Sequence, residues 1–147
     1  MGFKVWVNPI TGEPSERLPR LESLRNWSVA RGATEGDLIL WYRTLPHAHI
    51  ADIFRVAGRV QYLWGGDFNQ RAKDWFAPMR RVCKLKTPLH LKELKAHPIL
   101  KDAGFVRSRM QGRTEATAHW PEIREAILMR NPGLKKALAR YGPERAY

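Results

Sequence analysis

The sequence predicts an α+β domain, a small curved mixed β-sheet or barrel flanked by short helices, and three features of it lead there. Strand-length apolar patterns fill the N-terminal and central chain, Gly and Pro turns separate them, and the period becomes helical after Thr87-Pro88. Residues 3–7 (FKVWV) alternate in the manner of a short strand, closed by Asn8-Pro9 and a Thr11-Gly12 turn. Residues 18–24 suit a short helix, and the segment 24–28 has no clear period. Gly36-Asp37 then launches a continuous apolar run, Leu38-Ile39-Leu40-Trp41-Tyr42, of strand length. Residues 50–60 repeat the strand pattern with Gly58 as a candidate bulge, residues 65–74 read as a polar loop, and residues 75–85 read as a third long strand containing Pro78. Leu89, Leu91 and Leu94 begin the helical part, residues 104–117 read as a loop or weak strand, and Pro121-Glu122 opens a helix that Asn131-Pro132-Gly133 ends. A basic helix over 134–141 is expected to follow.

Charge narrows the partners. Twenty-six Lys and Arg against fourteen Asp and Glu leave a formal charge of +12, a field that attracts polyanions and speeds their capture. Nucleic acid fits that surplus best; an anionic membrane, another acidic partner or simple solubility are the other readings. Six Trp in a basic chain of 147 residues supply what base stacking needs, although most Trp are core residues. The single cysteine, Cys83, excludes an intramolecular disulfide and a thiolate zinc site. No apolar run approaches the ~20 residues of a membrane helix, and the N-terminal residues carry neither signal-peptide architecture nor a myristoylation signal, so a cytoplasmic protein is expected.

Catalytic patterns are sparse. His47 and His49 offer two imidazoles with no third ligand nearby in sequence, Cys83 lies inside a strand pattern, and the signatures of phosphate loops, zinc deaminases and Ser/His/Asp hydrolases are missing. Few carboxylates argue against a two-metal nuclease. The chain is therefore expected to be no enzyme and to use no metal or cofactor.

Four stretches carry a resemblance: Leu24-Arg25-Asn26-Trp27-Ser28, Gly36-Asp37 with its apolar strand, residues 50–60, and Pro88-Leu89-His90-Leu91-Lys92-Glu93-Leu94-Lys95 followed by His97-Pro98-Ile99-Leu100. In this order, with Trp120-Pro121-Glu122-Ile123 closing the series, they resemble the EVE domain, a relative of the YTH and PUA-like folds. The likeness covers residues 1–130 as one domain and leaves 131–147 as a basic C-terminal extension. It implies a PUA-like barrel with a pocket for a flipped or unstacked base, which in YTH domains is N6-methyladenosine in an aromatic cage. Trp27-Ser28 and Trp75 match YTH cage positions, and Asn26 matches a polar position of EVE domains. Around residues 64–74 the third cage wall has no recognisable counterpart.

The expected base pocket is thus Asn26, Trp27, Ser28, Trp41 and Trp75, although for Trp41, which alternates with Tyr42 on its strand, core is the default reading and a pocket wall the second. Trp6 and Trp64 read as structural. Arg107, Arg109 and Arg113 form the expected phosphate-binding loop and Arg80 and Arg81 a second cluster, guanidinium forks being suited to phosphate oxygens. The expected partner is DNA or RNA bearing a methylated base, either N6-methyladenine or a modified cytosine, with a nuclease or motor partner left open. An RNA-processing accessory domain without modified-base specificity is the alternative.

Overall fold

The computed structural model describes residues 2–65 and 73–147. Its strands are β1 (Val5–Ile10), β2 (Ser23–Ser28), β3 (Leu38–Arg43), β4 (His49–Val56), β5 (Gln61–Trp64), β6 (Lys73–His90) and β7 (Thr114–Glu115). They form one curved sheet in the order β2-β6-β4-β3-β1-β7, with β5 added to β6 as a hairpin. Only β1 and β3 run parallel; all other pairs are antiparallel. The helices α1 (Gly12–Arg17), α2 (Leu91–Ala96), α3 (Gly104–Arg107) and α4 (Trp120–Arg130) are short, as expected. The α+β class with a mixed, curved sheet is thus the observed architecture.

β3 explains why its sequence reads as an unbroken apolar run. All six of its residues are buried, because the sheet is covered on both faces there. Leu38, Leu40 and Tyr42 join a core shared with α2, α3 and α4, while Ile39 and Trp41 face the second core with Trp6, Leu24, Phe54 and Met79. β1 alternates in the same way, sending Val5 and Val7 to the first core and Trp6 and Ile10 to the second.

Five readings of the sequence differ from the structure. β1 runs through Asn8-Pro9 to Ile10 instead of stopping before them. Because β7 pairs only Trp6 and Val7, Pro9 sits beside an open edge where a missing amide is tolerated. The helix expected over 18–24 lies earlier, as α1 and a 3-10 turn at Leu18–Arg20, and the chain then extends into β2. A register shift between Leu24 and Trp27 breaks the alternation of β2 and accounts for its unreadable period. The segment 104–117 opens with α3, whose end is wound by left-handed Arg109 and Met110 so that the Met110 amide reaches the Phe105 carbonyl at 2.8 Å. The tail forms 3-10 turns, not a helix over 134–141: Pro132-Gly133 and Gly142-Pro143 bracket it. It packs closely all the same, with Leu138 fully buried, the Trp120 indole donating to the Tyr141 carbonyl at 2.8 Å, and Ala146 bridging to Phe3. Gly58 is no bulge; it follows β4, where any Cβ would meet Pro78 Cγ at 2.7 Å. Most of the polar loop expected over 65–74 lies outside the described residues.

A polar cluster ties α1 to the sheet. His47 Nε2 lies 2.9 Å from Glu16 and 3.0 Å from the Arg43 guanidinium, and the rings of His47, His49 and His90 follow one another at 5.5 and 5.3 Å. Burial, then the charges of His90, Arg43 and His47, depress the His49 pKa to about 4. The unfolded chain therefore binds a proton at His49 before the folded one does. Stability from neutral His49 is complete above about pH 6.5 and declines as pH falls from there toward 4. Denaturant titrations between pH 7 and pH 4 are expected to show a shallower loss for His49→Gln than for the wild type; equal slopes would contradict this role for His49.

Candidate nucleic-acid interface

β1 and β2 come together at an open seam of the curved sheet, where Asn8 Nδ2 reaches the Ser28 carbonyl at 3.4 Å. The parallel register places Asn8 beside Trp41, and Trp27 meets Trp41 edge to face with ring centroids 5.6 Å apart. Trp41 is fully buried and is backed in turn by Phe54 at 6.4 Å. It is therefore a support behind Trp27, which corrects the reading of Trp41 as a pocket wall.

Trp27 pairs across the strands with Ala77, and Trp75 lies two residues from Ala77 on the same face of β6. Such diagonal neighbours stand roughly 7–8 Å apart. A flat ring held between two others needs about twice a ~3.5 Å contact, or ~7 Å. Both indoles are partly exposed, so the pair is open to solvent on one face of the sheet. Trp75 is anchored through its backbone: its carbonyl accepts from the Val29 amide at 2.8 Å and its amide donates to Asp74 at 2.7 Å.

Two residues that the sequence reading did not select, Tyr62 and Trp64, belong to the same surface, and Asn8 lies buried beneath it. Asn8 is 1% exposed, and its Oδ1 and the Trp41 Nε1 are buried without a hydrogen-bond partner among the described residues. Tyr62 and Trp64 share the face of Trp75, since Tyr62 pairs with Trp75 and Trp64 with Lys73. Tyr62 and Trp75 rings lie 5.1 Å apart, Lys73 Nζ sits 5.0 Å over Tyr62, and Trp64 is 69% exposed. Alternation after β1 and along β5 was the available signal; the Asn8-Pro9 pair, read as a turn, concealed the first.

Asn26 and Ser28 flank Trp27 on β2, both half-buried. Of the basic residues, Arg107, Arg109 and Arg80 are exposed, but Arg80 follows Met79 and faces away from the indoles. Arg81 is not available to phosphate. Its side chain is 7% exposed, pairs with fully buried Asp52 at 2.7 Å, donates to the Leu18 and Leu21 carbonyls and covers the Phe54 ring. Removing one partner of such a buried pair costs about 3–5 kcal/mol, so Arg81 is a structural residue. Arg113 is one-third exposed and already engaged, donating to the Val29 carbonyl at 2.7 Å and lying 3.1 Å from Asp74. It holds in place the two segments that fix Trp75. No group of His, Cys, Asp or Glu among the described residues is arranged to hold a metal.

The architecture defines the class: an α+β domain with a YTH-like fold. No protein-family model matches the sequence, and no curated protein matches it. Among solved structures, a Leishmania major hypothetical protein superposes with a TM-score of 0.62 at 16% identity, over 89% of this chain and 96% of that one. A Rhodopseudomonas palustris protein does so with a TM-score of 0.60 at 18% identity, over 89% and 94%. The YTH domain of a Zygosaccharomyces rouxii protein, solved in complex with N6-methyladenosine RNA, is similar with a TM-score of 0.50 at 13% identity, over 86% and 85%.

If Arg113 positions Trp75, Arg113→Gln will move or broaden the Trp75 indole N–H signal in a nitrogen–proton correlation spectrum and leave that of Trp120 unchanged. An unmoved Trp75 signal would show that Arg113 is only a surface cation.

Proposed function

We propose that the chain is a non-catalytic nucleic-acid reader that captures one modified base of DNA or RNA, N6-methyladenine or a modified cytosine, between Trp27 and Trp75. The observation that carries the reading is the diagonal placement of two partly exposed indoles on one face of neighbouring strands. Tyr62 and Trp64 extend the apolar wall, and half-buried Asn26 and Ser28 offer donors and acceptors for the base edge. The fold shared with a YTH domain bound to N6-methyladenosine RNA supports the same reading.

Magnitudes set the division of labour. Stacking contributes roughly 1–3 kcal/mol per base. A buried methyl adds on the order of 0.8 kcal/mol, so the methyl alone discriminates about ten-fold at most and polar contacts must supply any more. Extracting a base from a duplex costs a few kcal/mol, which phosphate contacts from the +12 chain offset; Arg107 and Arg109 are the nearest free guanidinium groups in sequence to the seam residue Arg113.

Fluorescence anisotropy at ~150 mM salt tests this with matched single-stranded and duplex DNA and RNA probes, plain or carrying N6-methyladenine or 5-methylcytosine. One modified probe is expected to bind best, and Trp27→Ala or Trp75→Ala to weaken it about 5- to 150-fold while the protein stays folded. Equal binding of plain and modified probes would overturn the proposal and favour an RNA-binding accessory domain.

A further inference from the structure

On the face of the sheet opposite the indoles lies a groove of about 780 Å³, within the ~300–1,000 Å³ usual for pre-formed ligand sites. It opens at the C-terminal ends of β1 and β3, against α2 and the turn that follows α3. Buried Tyr42 and Met110 line it, together with the polar residues Thr11, Thr44, Lys95 and Arg109. No carboxylate lines it. The side chains of Lys95 and Arg109 are exposed and make no ion pair or hydrogen bond with any described residue, in contrast to Arg81, Arg113 and Arg130. Two uncompensated cations, hydroxyl donors and buried apolar residues suit a ligand that combines an anionic group with a flat or apolar part.

The groove is close to the seam. Arg109, Gln111 and Gly112 line it, and Arg113, the next residue, binds the Val29 carbonyl beside Trp75. Four residues of chain span at most about 14 Å, roughly the axial length of four stacked nucleotides. We propose that the groove is a second subsite, which receives the sugar–phosphate backbone of the strand flanking the captured nucleotide, with Lys95 and Arg109 on its phosphates. This rests on the reader function proposed above and adds the path of the strand, over the turn at residues 111–113 to the other face of the sheet.

The test compares the wild type with Lys95→Gln/Arg109→Asn. Gln keeps the helix of α2, and Asn tolerates the left-handed backbone at residue 109. Circular dichroism and thermal melting confirm that the variant is folded. Binding is measured across a salt series for a modified nucleoside, a 5′-mononucleotide and a modified single strand of about 12 nucleotides. Two lost phosphate contacts should lower the salt slope for the long strand by about 1.4 and its affinity roughly ten-fold at ~150 mM salt, with nucleoside binding unchanged. An unchanged slope and affinity for the long strand would overturn the groove, whether or not the preference for a modified base persists. Loss of mononucleotide binding alone would overturn it too, since the groove would then serve a free nucleotide. A reduced slope without any preference for a modified base would leave the groove standing and remove the reader reading.

Discussion

The contact between Trp27 and Trp41 is the interaction on which the site depends. Trp27 sits on an edge strand, half-exposed, where an indole would otherwise sample several rotamers. Its edge-to-face seat on Trp41 fixes it, and Trp41 is immobile because it lies inside the second core against Phe54. That rigidity originates in the two cores that bury β3 on both faces, while its parallel pairing with β1 puts Asn8 alongside Trp41. For the base capture proposed above, an indole held in this way would spare the cost of ordering the site on binding.

The second indole is held by a different device. Trp75 lies on β6 beside its partner strand β5 and is packed at the rim of the second core. Arg113 joins β7's approach to both the end of β2 and Asp74, so that three strands converge on one guanidinium. The positive charge of the chain thus serves two purposes. Some cations, Arg81 and Arg113 among them, satisfy buried or half-buried acceptors inside the fold, and others remain free to meet an anion.

Much of this was legible in the sequence, and the failures have physical causes. β3 and the central strands were readable because burial on both faces, or strict alternation, leaves a pattern that a short window captures. Trp27 and Trp75 were reached through resemblance, since a register shift erases the period of β2 and no local pattern relates the two indoles. Asn8 was hidden by its neighbour: Asn-Pro reads as a turn, and only the two-residue length of β7 leaves an edge on which Pro9 can continue the strand. Arg81 was misread because its buried acceptors, Asp52 and two backbone carbonyls, come from distant segments. Tyr62 and Trp64 required the hairpin register to bring them beside Trp75.

The most direct measurement is a nitrogen–proton correlation titration of the intact chain with the free modified nucleosides and their unmodified counterparts, read at the indole N–H groups. The proposed site on Trp27 and Trp75 predicts saturable shifts of their signals with one modified nucleoside, larger than with its parent, while the buried Trp120 signal stays still. Shifts confined to other residues, or identical responses to modified and unmodified nucleosides, would contradict the account.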